Sequence, residues 1–371
     1  MEFARGRPGG DGRGLRHRTV SKRSRNRIRT QETSAMKIAI LDDYQNAIRS
    51  LDCFRLLDGH DVDVLTQSIR DVDALAARIA EAEALVLIRE RTPIPRALLE
   101  RLPRLRFIAQ TGKASAHIDL EAAAQLGIPV TESRFSGVAT AELVWGVILA
   151  AMRRIPQYAA NLRAGHWQVS GLEGADTPYG HGLGVALEGR TLGIWGYGRI
   201  GRRLARYAQA FDMKVLVWSR PESRALAAEQ GHALADGPLD LFARSDVLTL
   251  QVRQNAETRG IVTLEHLLAM QPDALFVNTS RAGLVQPGAL REALARGRPG
   301  LAALDVFDDE PPGADEPLLH MPNVVCTPHL GYVQKENYET LFDAAFRDVL
   351  AWQAGTPRHV VNPDALARQR P

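Results

Sequence analysis

The stretch Leu192-Gly-Ile-Trp-Gly196-Tyr-Gly198-Arg-Ile-Gly201 runs a short apolar segment into glycines spaced Gly-x-Gly-x-x-Gly, and Arg202-Arg-Leu-Ala-Arg-Tyr-Ala then follows as helix. The spacing constrains the chain strongly. The first glycine permits a tight turn, the second lets an anion approach the backbone, and the third lets helix and strand pack closely, with free amides aimed at the anion. Met213-Lys-Val-Leu-Val-Trp218 reads as the next parallel strand and closes a strand-helix-strand unit of about 30 residues. That is the shape of a dinucleotide phosphate site.

A chain of 371 residues has room for about two domains, and 45% apolar residues is ordinary for a globular core. No run reaches the roughly 18 apolar residues of a membrane span. With only Cys53 and Cys326 there is no disulfide framework, and a reducing cytoplasm is expected. Residues 1–35 carry nine Arg and one Lys against Glu2, Asp11 and Glu32, a charge of +7, which leaves −4 on the remainder of a +3 chain. The basic balance therefore belongs to the Gly/Arg/Ser-rich segment and not to the fold. That segment is expected to be a disordered tail, with Met36-Lys-Ile-Ala-Ile-Leu41 as the natural beginning; it lacks the amphipathic face of a transit peptide. No nucleic-acid or membrane partner is expected.

From Met36 onward, short apolar runs alternate with helical patterns. Lys37–Leu41, Val62–Leu65, Ala84–Ile88 and Arg106–Ala109 read as strands. Asp71–Ala80 and Asp119–Gly127 read as helices that open on acidic capping residues. A second set of strands is expected at Thr191–Trp195, Lys214–Trp218, Asp246–Leu250, Ala274–Asn278 and Leu301–Leu304. Such alternation implies parallel sheets covered by helices on both faces. Two long helices, Gly137–Arg154 and Lys335–Trp352, flank the dinucleotide unit, so the chain is expected to enter one domain, complete the other and return. His166–Leu187 reads as a long surface loop.

Three segments of the second half place a polar residue just after an apolar strand, where ligands meet an open α/β sheet. Phe276-Val-Asn-Thr-Ser-Arg281 ends in an arginine, Asp305-Val-Phe-Asp-Asp-Glu310-Pro offers a carboxylate, and Thr327-Pro-His329-Leu-Gly331 braces a histidine. Together they supply an anion clamp, a proton donor and a carboxylate to orient that donor. Reduction of a 2-keto acid needs those groups.

These motifs, in this order and with the glycine fingerprint, resemble the D-isomer-specific 2-hydroxyacid dehydrogenases from about Met36 to Pro363. The resemblance implies an α/β protein of two Rossmann-like, doubly wound parallel-sheet domains, the cofactor domain inserted into the substrate domain, and a homodimer. On that reading residues 36–135 and 327–363 form the substrate domain, 136–326 the dinucleotide-binding domain, and 364–371 a tail. It also implies roles: Arg281 binds the substrate carboxylate, His329 is the general acid or base, and Glu310 pairs with His329. Gly196, Gly198, Arg199, Ile200, Gly201, Ser219, Arg220, Val252, Thr279, Ser280, Asp305 and Gly331 would hold the cofactor, Asp305 near the nicotinamide carboxamide. No metal is implied.

Two departures from the family pattern are visible. Members commonly carry a Gly-x-Gly turn whose amides hold the carboxylate, and here only Gly112 of Gln110-Thr-Gly112-Lys113 survives; Lys113 and Arg89 are expected to compensate. NAD-selective sites end the second strand on an acidic residue, whereas this one reads Trp218-Ser219-Arg220, so Arg220, with Arg224, is expected to favour NADP(H) over NAD(H). The expected activity is reduction of a small 2-keto acid. A phosphoglycerate dehydrogenase without a regulatory domain is the enzyme alternative, since only eight residues follow Pro363. A dinucleotide-sensing, corepressor-like scaffold is the non-catalytic one.

Overall fold

The computed structural model describes residues 35–114, 116–133, 136–173 and 182–368. The basic segment expected as a tail lies outside them up to Ser34, as do residues 174–181 of the long loop. Two all-parallel sheets organise the chain. The first takes β1 (Lys37–Ile40), β2 (Asp61–Val64), β3 (Ala84–Ile88), β4 (Phe107–Thr111) and β5 (Val130–Glu132) in the order 2-1-3-4-5. The second takes β6 (Thr191–Trp195), β7 (Lys214–Trp218), β8 (Ala233–Leu234), β9 (Val247–Leu250), β10 (Leu275–Asn278), β11 (Leu301–Leu304) and β12 (Val324–Cys326) in the order 12-11-10-9-6-7-8. Each order reverses once, between β1 and β3 and between β6 and β9. At such a switch point the loops part and leave a crevice beyond the strands' carboxyl ends.

Both sheets are covered on both faces, as expected for apolar runs without polar alternation. Alternate residues of β1 divide between two cores: Ile38 and Ile40 face Phe342 and Phe346, while Ala39 and Leu41 join Leu85, Leu98 and Ile108. On the second sheet Leu192 and Ile194 pack with Val144 and Ile148, and Trp195 with Phe242 and Phe276. Full burial of one such side chain contributes roughly 1.5–3 kcal/mol.

Helices connect the strands, as the alternation implies. Among the described residues they are α1 (Val72–Arg78), α2 (Arg96–Leu99), α3 (Leu120–Gln125), α4 (Val138–Met152), α5 (Ile155–Arg163), α6 (Arg199–Ala210), α7 (Pro221–Glu229), α8 (Pro238–Arg244), α9 (Leu264–Ala269), α10 (Ala289–Ala295) and α11 (Lys335–Gln353). Asp71 caps α1 by accepting from the Ala74 amide at 2.8 Å, and Asp119 caps α3 from Ala122 at 2.8 Å. The chain returns as expected: α11 packs Tyr338, Phe342, Phe346 and Val349 into the core of the first sheet.

Four elements depart from the sequence reading. The helix expected through Arg154 stops at Met152, and α5 follows from a left-handed Arg154. The three-residue β5 and two-residue β8 were not anticipated, because a strand that short leaves no periodicity to read. The C-terminal segment is not all tail: Asn362 bonds Val130 N and Ile128 O, and the turn Pro363–Arg368 buries Ala365 completely. No described helix is long and apolar enough to cross a membrane.

Candidate active site

The glycines behave as their spacing requires. A Cβ on Gly196 (φ +104°) would stand 2.5 Å from the Gln251 carbonyl oxygen, and one on Gly201 would stand 2.3 Å from the Gly196 carbonyl oxygen. Both contacts are backbone and cannot yield. At Gly198 a Cβ would meet nothing within 4 Å. The open side of the turn is therefore at the start of α6, beside the Arg199 and Ile200 amides and the positive end of the helix dipole. The turn is anchored from β7: the Tyr197 amide donates to Ser219 Oγ at 3.1 Å. Ser219 is thus partly spent on the loop. Arg220 is exposed. Arg224, expected to assist it, instead stacks over Trp218 at 4.4 Å and donates to the Ala235 carbonyl at 3.1 Å.

Past β9, half-buried Val252 follows Gln251. At the end of β10, Asn278 holds the turn that carries Thr279, Ser280 and Arg281. Its Oδ1 accepts from Ser280 N at 3.1 Å, its Nδ2 donates to the Arg281 carbonyl at 2.9 Å, and Ser280 Oγ donates to Leu250 O at 2.7 Å. Thr279 Oγ1 is buried with no hydrogen-bond partner. A buried orphan hydroxyl and an open glycine turn, both at the carboxyl ends of this sheet's strands, fit a dinucleotide.

The histidine turn is built with strain. His329 has φ +51°, a left-handed conformation for a residue with a Cβ, held at about 1–3 kcal/mol. Asp305 holds it there. This carboxylate is 0% exposed and accepts from Thr327 Oγ1 at 2.6 Å, Leu330 N at 2.7 Å and Gly331 N at 2.8 Å. Burial raises its pKa against those donors. The observed work of Asp305 is therefore to pin the turn, and any contact with a carboxamide would be additional. Gly331 O accepts from Thr140 Oγ1 at 2.7 Å, tying the turn to α4.

His329 Nδ1 lies 2.5 Å from Glu310 Oε2, and Glu310 Oε1 accepts from the Phe307 amide at 3.0 Å. Burial would raise the Glu310 carboxyl, but His329, the Phe307 amide and Arg281 outweigh it and hold it below its ordinary value. An ionised Glu310 makes Nδ1–H the donor, so Nε2 is the nitrogen left for chemistry. Tyr332 meets the imidazole edge-on with centroids 5.6 Å apart.

The facing wall comes from the switch point of the first sheet. Arg89 is also left-handed, at φ +53°, with its amide on Thr111 Oγ1 at 3.0 Å. Gly112 makes room for its side chain, since a Cβ there would fall 1.7 Å from Arg89 Nη1. Two expectations are corrected here. The Gly112 amide donates to buried Ser133 Oγ at 2.8 Å and is not offered to a ligand, and Lys113 is exposed and does not line the cavity. Of the two, only Arg89 brings its charge to the cavity.

Sequence reasoning missed Glu90. It reaches across the cleft to Arg281 Nη2 at 2.8 Å and lies 3.8 Å from Arg89 Nη2. Burial would raise its carboxyl, but Arg89 and Arg281 hold it at about 2. Arg70 crosses the same cleft to the Glu310 and Pro311 carbonyls at 2.9 and 3.3 Å. The only signal for Glu90 was its position, two residues past the end of β3. Together Arg89, Glu90, Arg281, Glu310 and His329 line one cavity of about 690 Å³.

This pair of walls supplies a cationic anchor and a carboxylate-held imidazole. Exchange of Glu310 for Gln is expected to change the pH–rate profile, because Glu310, whose carboxyl is held below its ordinary value, no longer offers His329 Nδ1 an ionised acceptor. Rates measured from pH 5 to 10 would check this, and an unchanged profile would show that the pair has no part in the proton transfer.

Residues 145–331 match the family model described as D-isomer specific 2-hydroxyacid dehydrogenase, NAD binding domain. A glyoxylate reductase of Thermococcus litoralis is 35% identical over 83% of this chain and 89% of its own length. A D-3-phosphoglycerate dehydrogenase of Methanocaldococcus jannaschii is also 35% identical, over 81% of this chain, but the match spans only 54% of that longer protein. A solved phosphoglycerate oxidoreductase from Vibrio cholerae O395 is 51% identical, with a TM-score of 0.82 over 86% of this chain and 99% of its own. The matched family model, the relatives and the two parallel sheets agree: the chain belongs to the D-isomer-specific 2-hydroxyacid dehydrogenases, a family of nicotinamide-dependent oxidoreductases.

Proposed function

We propose that the protein reduces small 2-keto acids to D-2-hydroxy acids, and oxidises them in reverse. The observation that carries the reading is the convergence of His329, its partner Glu310 and Arg281 on one cavity at the carboxyl ends of both sheets. A nicotinamide, when bound, exchanges the hydride at substrate C2. The cofactor's pyrophosphate would lie against Gly198 and the amides of Arg199 and Ile200, with Thr279, Ser280 and Val252 along it.

The chain's own residues do the rest. Arg281 binds the substrate carboxylate, for which a planar fork with two parallel donors is suited. Arg89 adds a second positive charge from the facing wall. His329 Nε2 gives the proton to the carbonyl oxygen during reduction and takes it back during oxidation. Glu310 holds the ring by Nδ1. Loss of NADPH or NADH absorbance on addition of glyoxylate, hydroxypyruvate, pyruvate or phenylpyruvate tests the reading, and no turnover of any of them would refute it. The relatives bear the names of reductases and dehydrogenases, which does not favour the scaffold alternative.

The cofactor is proposed to be NADP(H), on the exposed Arg220 where a ribose-binding acid would stand. Wild type is expected to prefer NADPH, and Arg220→Asp to reverse the preference, losing on the order of 1.5–3 kcal/mol for NADPH, somewhat over tenfold in affinity. Equal affinity of wild type for NADH and NADPH would remove Arg220 from the site. A homodimer is proposed on the exposed apolar side chains Ile155, Leu162, Trp167 and Val169, with Trp167 75% exposed, and its mass in solution checks it. A cytoplasmic location is proposed from the free thiols Cys53 and Cys326, checked by fractionating cells of the source organism.

A further inference from the structure

Arg281 is already satisfied. Its Nη1 donates to the Ser280 carbonyl at 2.6 Å and its Nη2 to Glu90 at 2.8 Å. Five arginines and four carboxylates line the cavity, but the arginines are unequal. Arg91 is spent on the Tyr332 hydroxyl at 2.7 Å and on the Asp42 carbonyl at 2.5 Å, and Arg70 on the Glu310 and Pro311 carbonyls. Arg259, Asp308 and Asp309 line the same cavity and are exposed. Arg91 and Arg70 keep their charge, since their acceptors are neutral, but these donors are occupied; where Arg89, Glu90 and Arg281 meet, two cations face one carboxylate.

That leaves one positive charge, which a single carboxylate neutralises. Without Glu90 two would remain, a match for a substrate with two anionic groups. We propose that Glu90 is a specificity-determining residue that fits the site to 2-keto acids carrying one negative charge and rejects those with a second, distal carboxylate or phosphate. The inference rests on the 2-keto acid reductase reading. Its physical basis is that like charges brought together away from bulk water repel strongly, and that a buried anion needs a cation of its own. Glu90 balances one of the two cations beside it and the substrate carboxylate the other, so a second anion held there meets the Glu90 carboxylate and no unbalanced cation.

The test uses the full chain with saturating cofactor and two substrate pairs: oxaloacetate against its singly charged near-isostere 4-methyl-2-oxopentanoate, and 3-phosphohydroxypyruvate against hydroxypyruvate. Wild type is expected to favour the singly charged member of each pair by at least about tenfold in kcat/KM. Glu90→Gln keeps an acceptor for Arg281 and removes the charge, and is expected to move both ratios toward the doubly charged member by about tenfold or more. Glu90→Ser is read the same way if the glutamine variant does not fold. A wild type that favours either doubly charged substrate overturns the proposal, as does an unchanged ratio in the variant whatever its absolute rate. Turnover of none of the four would instead remove the reductase reading on which it stands.

Discussion

His329→Ala is expected to lower kcat for keto-acid reduction by at least about a hundredfold, the usual effect of a lost general acid, while melting changes little. The imidazole touches Glu310 and the edge of Tyr332 and is not part of either sheet's core. Asp305, which pins the turn, remains in place with its three donors. Single-turnover rates at saturating cofactor, beside a melting curve, separate the two effects. Near wild-type kcat in a folded variant would take His329 out of the mechanism.

The second large effect lies in the glycine turn, where neighbouring glycines are expected to fail differently. Gly201→Ala forces a methyl to 2.3 Å from the Gly196 carbonyl and 3.2 Å from Ile194 Cγ2. Such overpacking costs about 1–3 kcal/mol, so the melting temperature should fall with cofactor binding. Gly198→Ala adds the same methyl to open space, at an extended φ of −89° that any residue adopts. That variant should melt like wild type and lose at least about tenfold in affinity for dinucleotide, roughly 1.4 kcal/mol, because the methyl stands where the pyrophosphate approaches. Titration of NAD(P)H fluorescence with each variant checks both. Undiminished binding by Gly198→Ala would place the phosphates elsewhere.

Much of this was legible because the backbone leaves few choices. A glycine forced by a 2.5 Å backbone contact can be read without coordinates, and so can a polar residue that follows an apolar strand, which is how Arg281, Glu310 and His329 emerge. Acidic caps place α1 and α3 for the same local reason. What escaped depends on contacts distant in sequence. Glu90 acquires meaning only when the second sheet brings Arg281 to it. Arg224 looks available for a phosphate until Trp218 is seen beneath it. Gly112 looks like an amide donor, but its lack of a side chain serves Arg89 and its amide serves Ser133. Charge alone made Lys113 attractive, and charge alone does not give direction.

Arg89 and His329 stand on opposite walls of the cleft, and both hold a backbone conformation that L-residues seldom adopt. Glycine at either position would relax the chain, so on the proposed mechanism folding and turnover pull the same two residues in opposite directions. A lineage drifting toward heat tolerance could not harden this protein there. Its gains would have to accumulate on the outer helices, and the two strained positions would persist as long as the chain is selected for turnover.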